Sequence, residues 1–297
     1  MKIKILIFSF VMILGFVTLV KAQEVTTNTT TNSASASAGV QQQLEGFNLN
    51  GYDNTGKKTW DVNGDKADIS EDKIKITNVD ANFYGKENGN LTSKNGVINK
   101  TSGQVHLEDD VVITADRGTK MTTDSLDWDR NKDLVTTTDS VKITDDQGEV
   151  TGKGLTAHPN LKEASINKDV KAVINTSSQG ADSSDNQKVT ITSDGPMQMD
   201  QLHFHGSFED NVVAVEESTG RQLYADKMDI WFDDKNKKIK KVICKGHVKA
   251  VQGNSSSYAD EMVYTGNDEL LVMKGRPKIV FDTTEAKGSG MFQKLGK

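Results

Sequence analysis

Few residues of this 297-residue chain are spaced for chemistry. His203 and His205 form a His-x-His, which on a strand would set both imidazoles on one face, as a metal site requires. No cysteine lies beside them and no third ligand can be named, so two surface or half-buried strand histidines are expected. Asp61-x-Asn63-x-Asp65 has calcium-loop spacing, yet Lys66 stands where such a loop needs glycine, and a polar hairpin turn is expected instead. Gly148 to Lys153 holds three residues between its glycines, one fewer than a phosphate-binding loop, and no helical pattern follows; it too is read as a turn. Acidic residues are plentiful but fall in turn segments and at alternating positions, without a placed pair for glycoside hydrolysis. The single cysteine, Cys244, sits in Lys-Val-Ile-Cys-Lys and is expected to be a buried, inert strand thiol. These residues compose no catalytic, metal or cofactor site, and the chain is read as non-enzymatic.

Composition narrows the remaining classes. With 36 Lys+Arg against 42 Asp+Glu, the net charge of −6 argues against the cationic footprint that nucleic acid requires. One cysteine excludes a disulfide framework and any multi-cysteine zinc or iron–sulfur site. Three prolines and 25 glycines amid much Asn, Asp, Thr, Lys and Val suit short strands joined by polar turns. Residues 1–22 read as a secretory signal or an N-terminal inner-membrane anchor: Lys2 and Lys4 precede an apolar run from Ile5 to Val20, and Val20-Lys21-Ala22 closes it. Without the three leader lysines the balance moves from −6 to −9, an acidic exported chain. Residues 23–43 contain almost nothing that could be buried and read as a flexible tether.

The elements that must position any site are strands. From Trp60 to Phe281 apolar residues recur at every second position, as in Val111-Val112-Ile113, Val141-Lys142-Ile143 and Met228-Asp229-Ile230. Asp-Asp, Asn-Gly and Gly-Lys-Gly segments between them read as turns. The expectation is an all-β fold with helix below about 10% of the exported chain. A short phrase repeats as DDVVI, DSVKI, DNVVA and GHVKA around Val111, Val141, Val212 and Val248, with looser copies at Val170 and Pro277. Steps near 30 residues, each about three strands, predict stacked antiparallel repeats. Thr176 to Lys188 is almost wholly polar, so 176–188 reads as a linker or long loop between 44–175 and 189–287, with 288–297 as a tail.

Stacking such repeats sets like residues at like depth. The inward set comprises Val111, Ile113, Leu126, Trp128, Val141, Ile143, Ile166, Val170, Phe208, Val212, Met228, Ile230, Phe232 and Val248. Periodicity admits two outcomes: a filled sandwich core, or two splayed sheets whose inner faces form an apolar trough for lipid.

The segments KTWDVNGDKADISEDKIKITNVDANFYGKENG, TADRGTKMTTDSLDWDRNKDLVTTTDSVKI and GKGLTAHPNLKEASINKDV resemble the LptC family of lipopolysaccharide transport. ITSDGPMQMD, FEDNVVAVE, LYADKMDIWFD, KKIKKVICKGHVKA and YADEMVYTGNDELLVMKGRPKIV resemble LptA, the OstA-like family. The resemblance implies a twisted β-jellyroll, here two OstA-like units in tandem, that binds lipopolysaccharide in an apolar groove. The residues named above are its groove candidates. It further implies a periplasmic site of action, possible tethering to the inner membrane, and outer-membrane biogenesis as the process served. The implied partners are lipopolysaccharide, the transporter LptB–LptF–LptG, and LptA or LptD by edge-to-edge strand pairing. The rival expectation is a structural or adhesive exported repeat protein with a closed core.

Overall fold

The computed structural model describes residues 42–281 except 86–87, 116–117, 147, 159–160, 178–185, 235–238 and 267–269. The leader at 1–22 and the tail at 288–297 lie outside the described residues, as does the tether up to residue 41. Among the described residues there are seventeen strands and no helix. They are β1 (Gln42–Tyr52), β2 (Lys58–Ile69), β3 (Lys73–Phe83), β4 (Gly89–Asn99), β5 (Gln104–Ala115), β6 (Lys120–Asp129), β7 (Leu134–Asp145), β8 (Gly148–His158) and β9 (Glu163–Ser177). There follow β10 (Asn186–Ser193), β11 (Met197–Asp200), β12 (His205–Glu216), β13 (Gln222–Phe232), β14 (Ile239–Gln252), β15 (Ser255–Thr265), β16 (Leu270–Lys274) and β17 (Lys278–Val280).

Every pairing is antiparallel and, apart from β10–β12, β9–β11 and β15–β17, joins chain neighbours, so the sheet is an up-and-down meander. β10 and β11 act as one strand interrupted in the middle: β9 pairs with β10 up to Ser193↔Val170 and resumes with β11 at Met197↔Ile166. β16 and β17 share β15 in the same way. Pro196 and Pro277 occupy the two interruptions, where a residue without an N–H costs no ladder bond.

Several of the polar segments read as turns lie inside strands, whereas Asp233-Asp234 follows β13 as expected. Asp109-Asp110 is in the middle of β5, Asn95-Gly96 in β4 and Gly152-Lys153-Gly154 in β8. The register shifts there: between Glu108 and Val111 in β5, Glu209 and Val212 in β12, and Lys245 and Val248 in β14. Asp109 and Asp110 take φ of 64° and 54°, Asp210 and Asn211 64° and 52°, and Gly246 and His247 74° and 45°. Asp and Asn reach the left-handed region at little cost because their short side chains bond locally, and a bulge built there bends its strand. Each of these long strands is thereby divided into two arms at a common corner.

The repeated phrase is that corner. Its valine follows the bulge and turns inward, and the strand opposite supplies a small residue: Val111↔Thr123, Val141↔Gly152, Val170↔Ser193, Val212↔Ala225 and Val248↔Ala259. The step near 30 residues therefore spans two long strands rather than three short ones. Trp60 to Phe83 likewise contains two strands, and Asp61-x-Asn63-x-Asp65 runs within β2 rather than turning a hairpin. Gly148 to Lys153 opens β8 and is likewise no turn.

Candidate functional site

Rows of side chains in register line the inside of each arm. One row runs Val62↔Ala81↔Leu91↔Ile113↔Met121↔Ile143↔Val150↔Ala172↔Ile191↔Ala214↔Leu223↔Ala250 with no polar member. It crosses from β9 to β10 at Ala172↔Ile191, and β9 and β10 run into the 176–188 segment from both sides, pairing as far as Asn186↔Ser177. In the other arm a row runs Ala67↔Ile76↔Gly96↔Leu107↔Leu126. It resumes as Leu155↔Ile166↔Met197↔Phe208↔Met228↔Cys244↔Met262↔Met273.

The fourteen sequence-selected residues fall on these rows, the corner, or the next row outward. Val111, Val141, Val170, Val212 and Val248 form the corner and are at most 2% exposed. Ile113 and Ile143 belong to the first arm; Leu126, Ile166, Phe208, Met228 and Ile230 belong to the second, and all are buried. Trp128 and Phe232 are half-buried and pack against the same cluster.

At the β2–β7 end the two arms separate around a cavity of about 170 Å³. Trp60, Val62, Ala81, Phe83, Leu91 and Ile113 bound it from one arm; Ile76, Gly96, Ile98, Val105, Leu107, Leu126, Trp128 and Val135 bound it from the other. Val79 lies at the corner between them, and Arg130, the only charged member among the described residues, closes the tip. Of the fourteen selected residues only Ile113, Leu126 and Trp128 reach this chamber. Most of its other walls lie in β2 to β4, which lack the valine phrase although their alternation is equally readable; Val105, Leu107 and Val135 lie in β5 and β7 but outside the phrase.

The chemistry-bearing residues do not converge. His203 lies in the turn before β12, with its backbone N–H donating to Asp200 Oδ1 at 3.0 Å, whereas His205 is in β12. His205 Nε2 lies 3.1 Å from Asp229 Oδ1 and its ring stacks on Trp231 at 4.7 Å. The pair therefore does not share a strand face, and no His/Cys/Asp/Glu group suited to a metal occurs among the described residues. Asp61 is 4% exposed; it accepts hydrogen bonds from Tyr84 Oη at 2.7 Å and Asn82 Nδ2 at 3.0 Å, and pairs with Lys58. Burial pushes its carboxyl up, but the bonds from Lys58, Asn82 and Tyr84 outweigh burial and hold it below the usual carboxylate range. Cys244 is 0% exposed, and burial pushes its thiol up to about 12, which keeps it protonated and inert.

The family described as lipopolysaccharide-assembly, LptC-related, matches residues 6–175, more than half of the chain. The chain belongs to this LptC-related family. Residues 190–296 match a second family, described as LptA/(LptD N-terminal domain) LPS transport protein. Among solved structures, the chain is similar to LptH, the LptA-homologous periplasmic component of the lipopolysaccharide transport device from Pseudomonas aeruginosa. That likeness has 10% identity and a TM-score of 0.29, covering 56% of this chain and 96% of LptH. No curated protein matches the chain. Membership of the LptC-related family gives the chain a non-catalytic role in periplasmic lipopolysaccharide transport, among the Lpt components.

Proposed function

We propose that this LptC-related chain carries lipopolysaccharide by its acyl chains between the two arms of the bent meander. The fourteen selected residues supply its inner walls. In this reading the fold is a β-jellyroll of two OstA-like units, 44–175 and 189–287, fused in tandem with 176–188 between them. The single observation that supports it is the apolar row from Val62 to Ala250, which continues through both family-matched spans without a polar interruption. An amphiphile gains roughly 0.8 kcal/mol for each CH₂ withdrawn from water, so its passage through an aqueous compartment requires such a continuous apolar surface. The chamber between Trp60 and Trp128 is where the path already stands open, and the arms part further along as cargo advances. The leader, cleaved or retained as an anchor, delivers the chain to the periplasm. Residues 44–175 face the inner-membrane transporter LptB–LptF–LptG, and 189–287 face LptA or LptD through strand pairing at the sheet edge.

Photo-crosslinkers at Ile113, Ile143, Val170, Phe208 and Val248 test the reading in cells. Capture of lipopolysaccharide at these inward positions is the expected result. Capture only at solvent-facing positions, or at none, would sink it and leave the closed-core structural protein.

A further inference from the structure

Among the described residues the chamber wall contains one charge, and that charge has no ion-pair partner. Arg130 stands in the turn after β6 with its guanidinium carbon 5.9 Å from the centre of the Trp128 ring. The carboxylate beside it, Asp129, is occupied by Lys132 at 3.0 Å, and no ion pair of Arg130 occurs among the described residues. This is notable in a chain with six more acidic than basic residues. The guanidinium is nevertheless held in place. Its other side lies over the β4–β5 turn, where a Cβ on Gly103 would stand 3.4 Å from Nη2, and Gly103 also has the left-handed φ of 68° that favours glycine. Trp128, in the same wall, has its Nε1 buried without a hydrogen-bond partner. A guanidinium without an ion-pair partner, set against the Trp128 ring, thus adjoins a chamber whose other described walls are apolar.

We propose that Arg130 and Trp128 form the headgroup end of the chamber, holding the phosphate of an acylated, phosphorylated lipid while one of its acyl chains lies between the arms. The proposal rests on the carrier reading and adds to it a polar anchor and an orientation. A planar guanidinium presents two parallel N–H donors to a phosphate, and the Trp128 ring beside it holds the cation at the chamber's end. Partial removal from water beside an aromatic wall strengthens these bonds relative to an exposed cation. The lipid is then fixed head toward the β6–β7 turn and tail toward the row of Ile76, Leu107 and Leu126.

The full-length chain carrying Trp60→Phe and Trp231→Phe leaves Trp128 as the sole indole reporter. Its emission is titrated with dodecyl phosphate and with dodecanol. Both should bind, the phosphate more tightly. Arg130→Gln should weaken dodecyl phosphate about tenfold, equivalent to ~1.4 kcal/mol, and leave dodecanol within about twofold. Arg130→Lys should recover only part of the loss, because an ammonium lacks the planar fork. Raising salt should weaken the phosphate probe alone in the unsubstituted-Arg130 protein, a readout that depends on no further substitution. Equal weakening of both probes, or of neither, would overturn the headgroup assignment while leaving the carrier reading intact. Failure of both probes to bind the parent would overturn the two together. Inorganic phosphate should not alter the emission; a response equal to that of dodecyl phosphate would reassign Arg130 to free anions. In a final arm, lipopolysaccharide should lose affinity on Arg130→Gln and its dephosphorylated form should not. Equal loss for the two would likewise refute the phosphate contact.

Discussion

Replacing Ala81 by leucine places three more carbons in the chamber. Ala81 is 5% exposed, lies between Val62 and Leu91 in register, and forms part of the chamber wall. At ~24 cal/mol per Å³, an empty 170 Å³ costs about 4 kcal/mol relative to a filled core, an upper bound because the chamber partly meets solvent. Three buried carbons at ~0.8 kcal/mol each recover at most about 2.4 kcal/mol. An imperfect rotamer returns ~0.5–1.5 kcal/mol of that. Ala81→Leu is therefore expected to raise the unfolding free energy by about 1–2 kcal/mol in urea denaturation. It should also reduce lipopolysaccharide capture at a photo-crosslinker on Ile113 by about tenfold, since the space for roughly two CH₂ groups of cargo is gone. Opposite movement of stability and capture separates a binding chamber from an ordinary core, in which both would fall together. If Ala81→Leu destabilises the protein and capture is unchanged, the chamber is not where cargo binds.

Asp61 gives the fold an acid-dependent increment. Its folded carboxyl lies below the ordinary value of 3.8, so the stabilisation is fully present above that value and is lost as pH falls through the folded value. Tyr84→Phe should cost about 1–2 kcal/mol at pH 7, and the difference from wild type should shrink below about pH 3.8. Urea denaturation between pH 7 and 2.5 measures this, and a constant difference across that range contradicts the account. The sheet edges differ as well. β16 and β17 expose Leu270, Leu271, Ile279 and Val280 at 52%, 51%, 54% and 43%, whereas β1 exposes Gln42, Gln43, Glu45, Asn48 and Asn50. Leu271→Lys with Ile279→Lys should lower capture of the next Lpt component at least tenfold while changing stability by no more than ~0.5 kcal/mol each. Unchanged pull-down would refute pairing through that edge.

Much of the fold was legible because strand alternation is written locally. Val111, Ile113, Val141 and Ile143 announce their inward direction by period alone, and the structure buries all four. The valine phrase also gave the right spacing, but its meaning was inverted. Asp-Asp before Val111 satisfies the same chemistry whether it ends a strand or bulges one, since both need residues that tolerate positive φ. Only the partner strand decides between them, and pairing at long range is not encoded in a ten-residue window. The consequence was short strands in threes where the chain forms long bent strands in pairs.

The chamber was hidden for a different reason. Its walls use the same alternation as the rest of the interior, and its openness comes from what is missing. Gly96 stands between Ile76 and Leu107 in register, so the row presents no side chain at that point. Along the same row in the later strands stand Met197, Phe208, Met228, Cys244 and Met262, mostly long or polarizable groups that fill irregular space, and all five are buried. Two stretches with nearly the same hydrophobic pattern therefore differ in whether the arms meet. Arg130 was equally silent as sequence: an arginine in Asp-Arg-Asn-Lys reads as a solvated turn residue. Its distinction arises only when Lys132 takes Asp129, Gly103 clears the far side of the guanidinium, and Trp128 supplies the near side. A pattern of residue types can state which side chains face inward. Whether they enclose space, and which charge is left at its rim, depends on volumes and on the assignment of neighbouring ion pairs, and both of these are set by the packed strands together.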